Sequence, residues 1–178
     1  DGLGALIHSV EDARYFIGKV TIYNNFPVVA RELIYEYMFR YFPDPDKLIL
    51  PHKEVQVCAK SKALAKKVFV EKDSTHNFKA LQKAVRAEGE TIPSMFNAYI
   101  GLTDTMRVFG SIFDADFGSV YETGIMITMN DLLETKKMRY IVPYIEYVKK
   151  VMEERKQALK LAREKKAAEK LAKAALKK

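Results

Sequence analysis

Three groups of polar side chains in this sequence have the types and spacing for chemistry. Asp116, Glu122 and Thr123 lie in a glycine-punctuated stretch, DFGSVYETG, that carries Gly118 and ends at Gly124. A carboxylate on a rigid strand beside such a turn can act as a general base toward an amine. The same residues also read as a turn aspartate and a strand-end glutamate paired with Arg107 or Arg139. Lys19, Thr21, Asn24 and Asn25 lie along and just past an apolar run, at the strand end where sheets flanked by helices usually bind ligands. The alternative is that Asn24 and Asn25 only turn the chain and cap the next helix. Tyr35, Tyr37 and Tyr99 read as core or interfacial aromatics, although any of them has a hydroxyl that can donate a proton.

Other chemistries find little support. His8, His52 and His76 are far apart and lack cysteine or carboxylate partners at metal-ligand spacing, so no metal site is expected. Cys58 has no motif of a nucleophile around it and reads as a small buried apolar residue. Gly2 and Gly4 have neither a preceding strand nor a third glycine, which is too little for a phosphate loop.

The elements that must position these residues follow from periodicity. Leu3, Leu6, Ile7 and Val10 form a short helical stripe, and Tyr15 to Tyr23 reads as a buried strand because β-branched and aromatic residues fill it. Pro27 opens a helix whose Val29, Leu33, Ile34, Tyr37, Met38 and Tyr41 recur at helical spacing until Pro43. Glu54 to Cys58 reads as a short strand, Lys60 to Lys67 as a polar helical turn, and Thr75 to Glu88 as a helix stopped by Gly89. This middle region is expected to cover the sheet or form a lid. Pro93 starts another helix bearing Met95, Phe96, Tyr99 and Leu102. Met106 to Ile112 and Glu122 to Met129 then read as a hairpin around a turn at 114–118. Asn130 is expected to cap a helix from Asp131, with a break at Pro143, and the chain beyond Val151 consists of strong helix formers.

The 178 residues, 48% of them hydrophobic, suffice for one ordinary domain with a core. The chain begins at Asp1 as though inside a helix and is expected to be a piece of a longer protein. Without an apolar run of spanning length or signal-peptide architecture, it is expected to be cytoplasmic. From Val148 to Lys178 twelve Lys or Arg face four Glu, a net +8, so the rest of a chain with net +7 carries −1. The cationic character therefore sits in the tail, which argues against a nucleic-acid-binding fold. That tail reads as a solvated helix, a coiled-coil arm or a segment drawn to an anionic membrane surface.

The pieces GKVTIYNN (Gly18 to Asn25), IPSMFNAY (Ile92 to Tyr99) and the glycine array from Phe109 to Ile125 give the sequence a family likeness. Over Asp1 to Tyr147 it resembles the C-terminal half of bacterial hemolysin-like, GNAT-type N-acyltransferases, relatives of those that make ornithine and glycine lipids. The resemblance implies an α/β (α+β) fold, a partial GNAT-like sheet with flanking helices over residues 1–147; the long basic helix expected over 148–178 lies outside it and rests on composition alone. It further implies transfer of a fatty acyl group from acyl carrier protein, or from acyl-CoA, to the amine of a small amino acid, with no bound cofactor or metal. Under it Glu122 is the expected proton acceptor and Asp116 the second choice. Lys19, Thr21, Asn25 and Tyr99 would serve the substrate, and Asn25 and Tyr35 the donor edge. A piece lacking the other half would be inactive alone, and the enzyme would be peripheral on the inner face of the cytoplasmic membrane. The alternative is a non-catalytic α/β binding module whose basic helix engages a membrane or an acidic partner.

Overall fold

A computed structural model describes residues 4–5, 9–10 and 13–175. Leu3, Leu6, Ile7 and His8 of the first expected helix, and Leu176 of the tail, lie outside the described residues. The chain divides into two units, Ala13–Leu133 and a second comprising Asp1–Asp12 with Glu134–Lys178.

The first unit is built on a three-stranded antiparallel sheet: β1 (Tyr15–Tyr23), β2 (Arg107–Asp114) and β3 (Val120–Thr128), in the order β1-β3-β2. The fold is thus mixed α and β, with the expected strands paired. β1 pairs in register along its whole length, Tyr15 opposite Thr128 and Tyr23 opposite Val120. The expectation of a buried β1 is corrected. As an edge strand it alternates, with Val20 and Ile22 buried while Tyr15, Ile17 and Tyr23 are exposed. The β2–β3 hairpin turns through Gly118 and Ser119, both at positive φ. Asp114 Oδ1 closes this turn by accepting from the backbone N–H groups of Asp116 and Phe117 at 3.1 and 3.0 Å. A bulge between Val108 and Gly110 shifts the β2 register. Gly110 is at φ +115°, and a Cβ there would meet Pro51 Cγ at 2.8 Å, so backbone and packing both require glycine.

Helix α1 (Val28–Tyr41) starts at Pro27, which has no N–H that would go unpaired in a first turn. It is buried on nearly all sides, Ala30 through Tyr35 together with Tyr37 and Met38, because other helices cover the face that the sheet leaves free. Those helices are α2 (Ala59–Val68) and α3 (Ser74–Ala87), which pack on α1 rather than closing over the sheet as a lid. Asp73 caps α3 by accepting from the His76 N–H at 2.9 Å, and Gly89 ends the turn after it at φ +84°. Cys58 is exposed rather than buried: it is the N-cap of α2, its sulfur accepting from Ser61 N. Glu54 to Cys58 is no strand but a single bridge, Glu54 opposite Ile112, because Val55 N to Ser111 O is the tie that holds it. At the other end, Pro43 bridges Val108 and Arg107 pairs with Asp44 at 3.0 Å and with Asp46. The outer edge of β2 is therefore partly covered by the segment that follows α1.

Helix α4 (Ser94–Ile100) follows Pro93 and buries Phe96, while Met95 is exposed. After β3 comes a single 3-10 turn, Met129–Asp131, instead of a helix capped by Asn130, and Leu133 N donates to Leu102 O at 2.9 Å.

In the second unit α5 (Glu134–Tyr140) ends just before α6 (Val142–Ala175), so the break falls where Pro143 occupies a first-turn position. Gly4 is a packing glycine, since a Cβ there would approach the Tyr144 Cβ to 2.6 Å. Along α6 Tyr147, Met152, Leu159 and Leu161 are exposed, while Tyr144 and Ile145 are half-buried. Among the described residues no helix is long and apolar enough to cross a membrane.

Candidate functional site

Strand pairing brings three of the expected site residues together. Thr21 stands directly opposite Glu122, and Lys19 lies two residues before Thr21 on the same pleat face. Glu122 is only 5% exposed. Its Oε1 accepts from the Thr21 hydroxyl at 3.0 Å and is 3.3 Å from Lys19 Nζ, while its Oε2 is buried with no hydrogen-bond partner. Lys19 is itself mostly exposed, with its ammonium 4.6 Å above the ring of Phe117. The result is a carboxylate with one oxygen committed and one available. A further wall is Phe109, which the β2 bulge sets against Gly124, 3.5 Å from where a Cβ would stand. Arg107 does not pair with Glu122. Arg107 is taken by Asp44 and Asp46, and Arg139 lies over the Tyr140 ring.

The other expected residues are placed elsewhere. Asp116 is exposed in the hairpin turn and makes no side-chain hydrogen bond or ion pair with Lys19, Thr21 or Glu122. Asn25 is exposed in the turn after β1 and does not cap α1, whose N-cap is Pro27. Tyr99 packs on Phe16 with ring centroids 5.9 Å apart. Phe16 alternates with Gly18, Val20 and Ile22, so Tyr99 is on the sheet face opposite Glu122. Tyr35 also belongs to that opposite side. It is fully buried, and burial pushes its pKa well up although nearby Arg31 and Ser111 oppose the shift. Tyr37 is a core aromatic whose hydroxyl donates to Ser74 O at 3.0 Å.

That opposite face holds Thr123, which the sequence had grouped with Glu122, and three polar residues that the sequence reading passed over, Arg31, Glu32 and Ser111. Arg31 is 6% exposed, stacked 3.6 Å above the Tyr121 ring, and its Nε has no acceptor. Ser111 and Thr123, both fully buried, share a hydrogen bond of 2.7 Å. Glu32 is equally buried. Burial alone would raise its pKa, but Ser61 and Cys58 at the start of α2, with Arg31, more than offset this and hold it below its ordinary value. A signal existed for Arg31: it lies three, four and seven residues before Ile34, Tyr35 and Met38, on a stripe otherwise apolar.

Among the described residues no cluster of His, Cys, Asp or Glu could hold a metal ion. His52 and His76 are exposed, the latter paired with Asp73 at 2.5 Å. A hollow of about 210 Å³ lies beyond the outer edge of β2, lined by Phe39, Ile49, Leu50, Val108 and Phe109 among others; Glu122 is not part of its wall.

Two bacterial proteins are similar to this chain over 146 residues, 82% of its length. One, from Phocaeicola vulgatus, is 38% identical, and the other, from Bacteroides thetaiotaomicron, is 36% identical; each is named glycine N(alpha)-acyltransferase. The chain spans 44% and 43% of their respective lengths, somewhat less than half of the relatives it matches. No family model and no solved structure matches. The resemblance to part of an N-acyltransferase, read from the three motifs, is borne out by these relatives.

Proposed function

We propose that this chain, a relative of glycine N(alpha)-acyltransferases, is the Glu122-bearing part of a GNAT-type enzyme that acylates the amine of a small amino acid. The donor is a fatty acyl thioester on acyl carrier protein or coenzyme A. The neutral amine attacks the thioester carbonyl, the C–N bond forms, the C–S bond breaks, and the sulfur leaves with the electron pair as a thiolate. The nitrogen must lose a proton in the same sequence. Glu122 Oε2 is the acceptor: Thr21 and Lys19 occupy Oε1, which fixes the carboxylate and leaves Oε2 unpaired. That half-committed carboxylate, in a relative of N-acyltransferases, is the observation that carries the reading. Backbone N–H groups would supply stabilisation of the oxyanion, which requires no side chain.

The product belongs to aminoacyl-lipid synthesis on this reading, and the chain alone does not turn over. The test is mass spectrometry of lipids from cells expressing the longer polypeptide that contains this chain, with Glu122 intact or changed to Ala. N-acylated amino acid lipids are expected with Glu122 and absent without it; equal amounts in both would remove Glu122 from the reaction.

The exposed, lysine-rich course of α6 favours a second role beside the first, attachment to an anionic membrane surface. Sedimentation with phosphatidylglycerol vesicles is expected for the whole chain at low salt and not for a chain ending at Tyr147. Equal sedimentation of both would remove this role.

A further inference from the structure

A buried arginine with no ion-pairing partner is costly, and native chains rarely leave one so. Arg31 is in this position. Its guanidinium lies flat on Tyr121, no carboxylate of the described residues comes within ion-pairing distance, and Nε is sealed from water without an acceptor. One turn along the same helix the Tyr35 hydroxyl is also buried and unpartnered. Ser111, the hydroxyl neighbour of Tyr35, is already engaged with Thr123. Two unsatisfied donors thus lie on one helix face, against β2 and β3, and Glu32 beside them has its Oε2 buried without a hydrogen-bond partner.

We propose that Arg31, with the Tyr35 hydroxyl one turn further along α1, is a receptor for a small aliphatic carboxylate on the sheet face opposite Glu122. A carboxylate is the acceptor that matches a guanidinium edge with parallel hydrogen bonds, and its second oxygen would take the hydroxyl. Ring stacking holds the guanidinium plane in place before anything binds, so little freedom is lost on binding. The 6% of Arg31 that remains exposed is the opening to solvent. Glu32 is an anion close enough to act on both Arg31 and Tyr35. It forms no ion pair with Arg31, but its charge acts on Arg31 and keeps the affinity modest, on the order of millimolar. The carboxylate has two natural sources, an amino acid and a fatty acid. The site stands whether or not Glu122 moves a proton.

The experiment follows the arginine Nε–H resonances of the nitrogen-15-labelled whole chain during titration with acetate, glycine and octanoate, with chloride at matched ionic strength as control. The Arg31 signal, assigned by its loss in Arg31→Lys, is expected to move saturably with carboxylate and not with chloride. Arg31→Lys is expected to weaken binding roughly tenfold or more, read on the Ser111 and Thr123 amides. Saturation by glycine first points to the amino acid as source, and by octanoate first to the fatty acid. Glu122→Gln is expected to bind unchanged, which separates this site from the proposed proton acceptor. An Arg31 signal that ignores all three carboxylates, or follows chloride equally, overturns the proposal.

Discussion

The two faces of one sheet bury opposite charges and treat them differently. On one, Glu122 draws its partners from the neighbouring strand, and the register that opposes Thr21 to Glu122 also places Lys19 within 3.3 Å. On the other, Arg31 comes from a helix and meets an aromatic ring rather than an anion. The Glu122 arrangement is complete at Oε1 by strand pairing alone and keeps Oε2 for a proton. The Arg31 arrangement is incomplete without something from outside it. A charge satisfied by its own sheet can serve as a reagent, whereas a charge left unsatisfied is suited to binding.

The sharpest way to break this contrast is Glu122→Gln in the longer polypeptide. The amide keeps the shape and can still meet Thr21, yet it accepts no proton. Product formation is expected to fall by about two to four orders of magnitude, as for removal of a general base. Measured as N-acyl amino acid formed per protein, a fall of less than about threefold would show that Glu122 is only a structural partner of Lys19.

Much of this first face was legible beforehand, and the reason is local. Strands and hairpin follow from alternation, β-branched content and glycine placement, all short-range signals, and both strands of the Lys19–Thr21–Glu122 group could be drawn to within a residue or two. The opposite face was not legible. Arg31 and Glu32 drew no notice because nothing in VVARELIYEYMF announces that α2 and α3 will cover the outer side of α1. Tyr99 failed for a related reason: a period of two says that Phe16 and Lys19 diverge, but not which face α4 will choose. Cys58 was misplaced because a capping sulfur and a core sulfur look alike in sequence.

A second pair of changes compares the hydroxyls of the two faces. Ser111→Val strands the Thr123 hydroxyl in a fully buried place and is expected to cost about 1–3 kcal/mol in urea unfolding. Thr21→Val removes a donor from a carboxylate that keeps Lys19, and Thr21 itself is only half-buried, so about 0.5–1.5 kcal/mol is expected. Equal losses would mean that the two faces are equally dry.

Acid titration sharpens the helix side. Glu32 is held below its ordinary 4.5, so the folded state binds its proton less readily than the unfolded chain does. Its contribution is therefore fully present above about pH 4.5 and is lost as the pH falls from there through the lower folded value. The thermal midpoint of Glu32→Gln is expected to lie below that of the parent at pH 7 and to approach it on descent through this window. A gap that stays constant with pH would leave hydrogen bonding, not charge, as the role of Glu32.

The smallest effect is expected at Lys19, and it tests whether completeness on the Glu122 face is electrostatic or steric. Lys19 is 58% exposed in its side chain, so water and salt screen its attraction for Glu122, and its stacking on Phe117 is likewise open to solvent. Lys19→Met keeps the aliphatic stem over the ring and removes only the charge. Unfolding in urea is expected to shift by no more than about 1 kcal/mol, and the shift should vanish at high salt. Thr21 still holds Oε1, so the carboxylate keeps its orientation. A much larger loss, unaffected by salt, would mean that Glu122 depends on Lys19 as its buried counter-charge, and the two faces would then differ in the source of their partner rather than in its necessity.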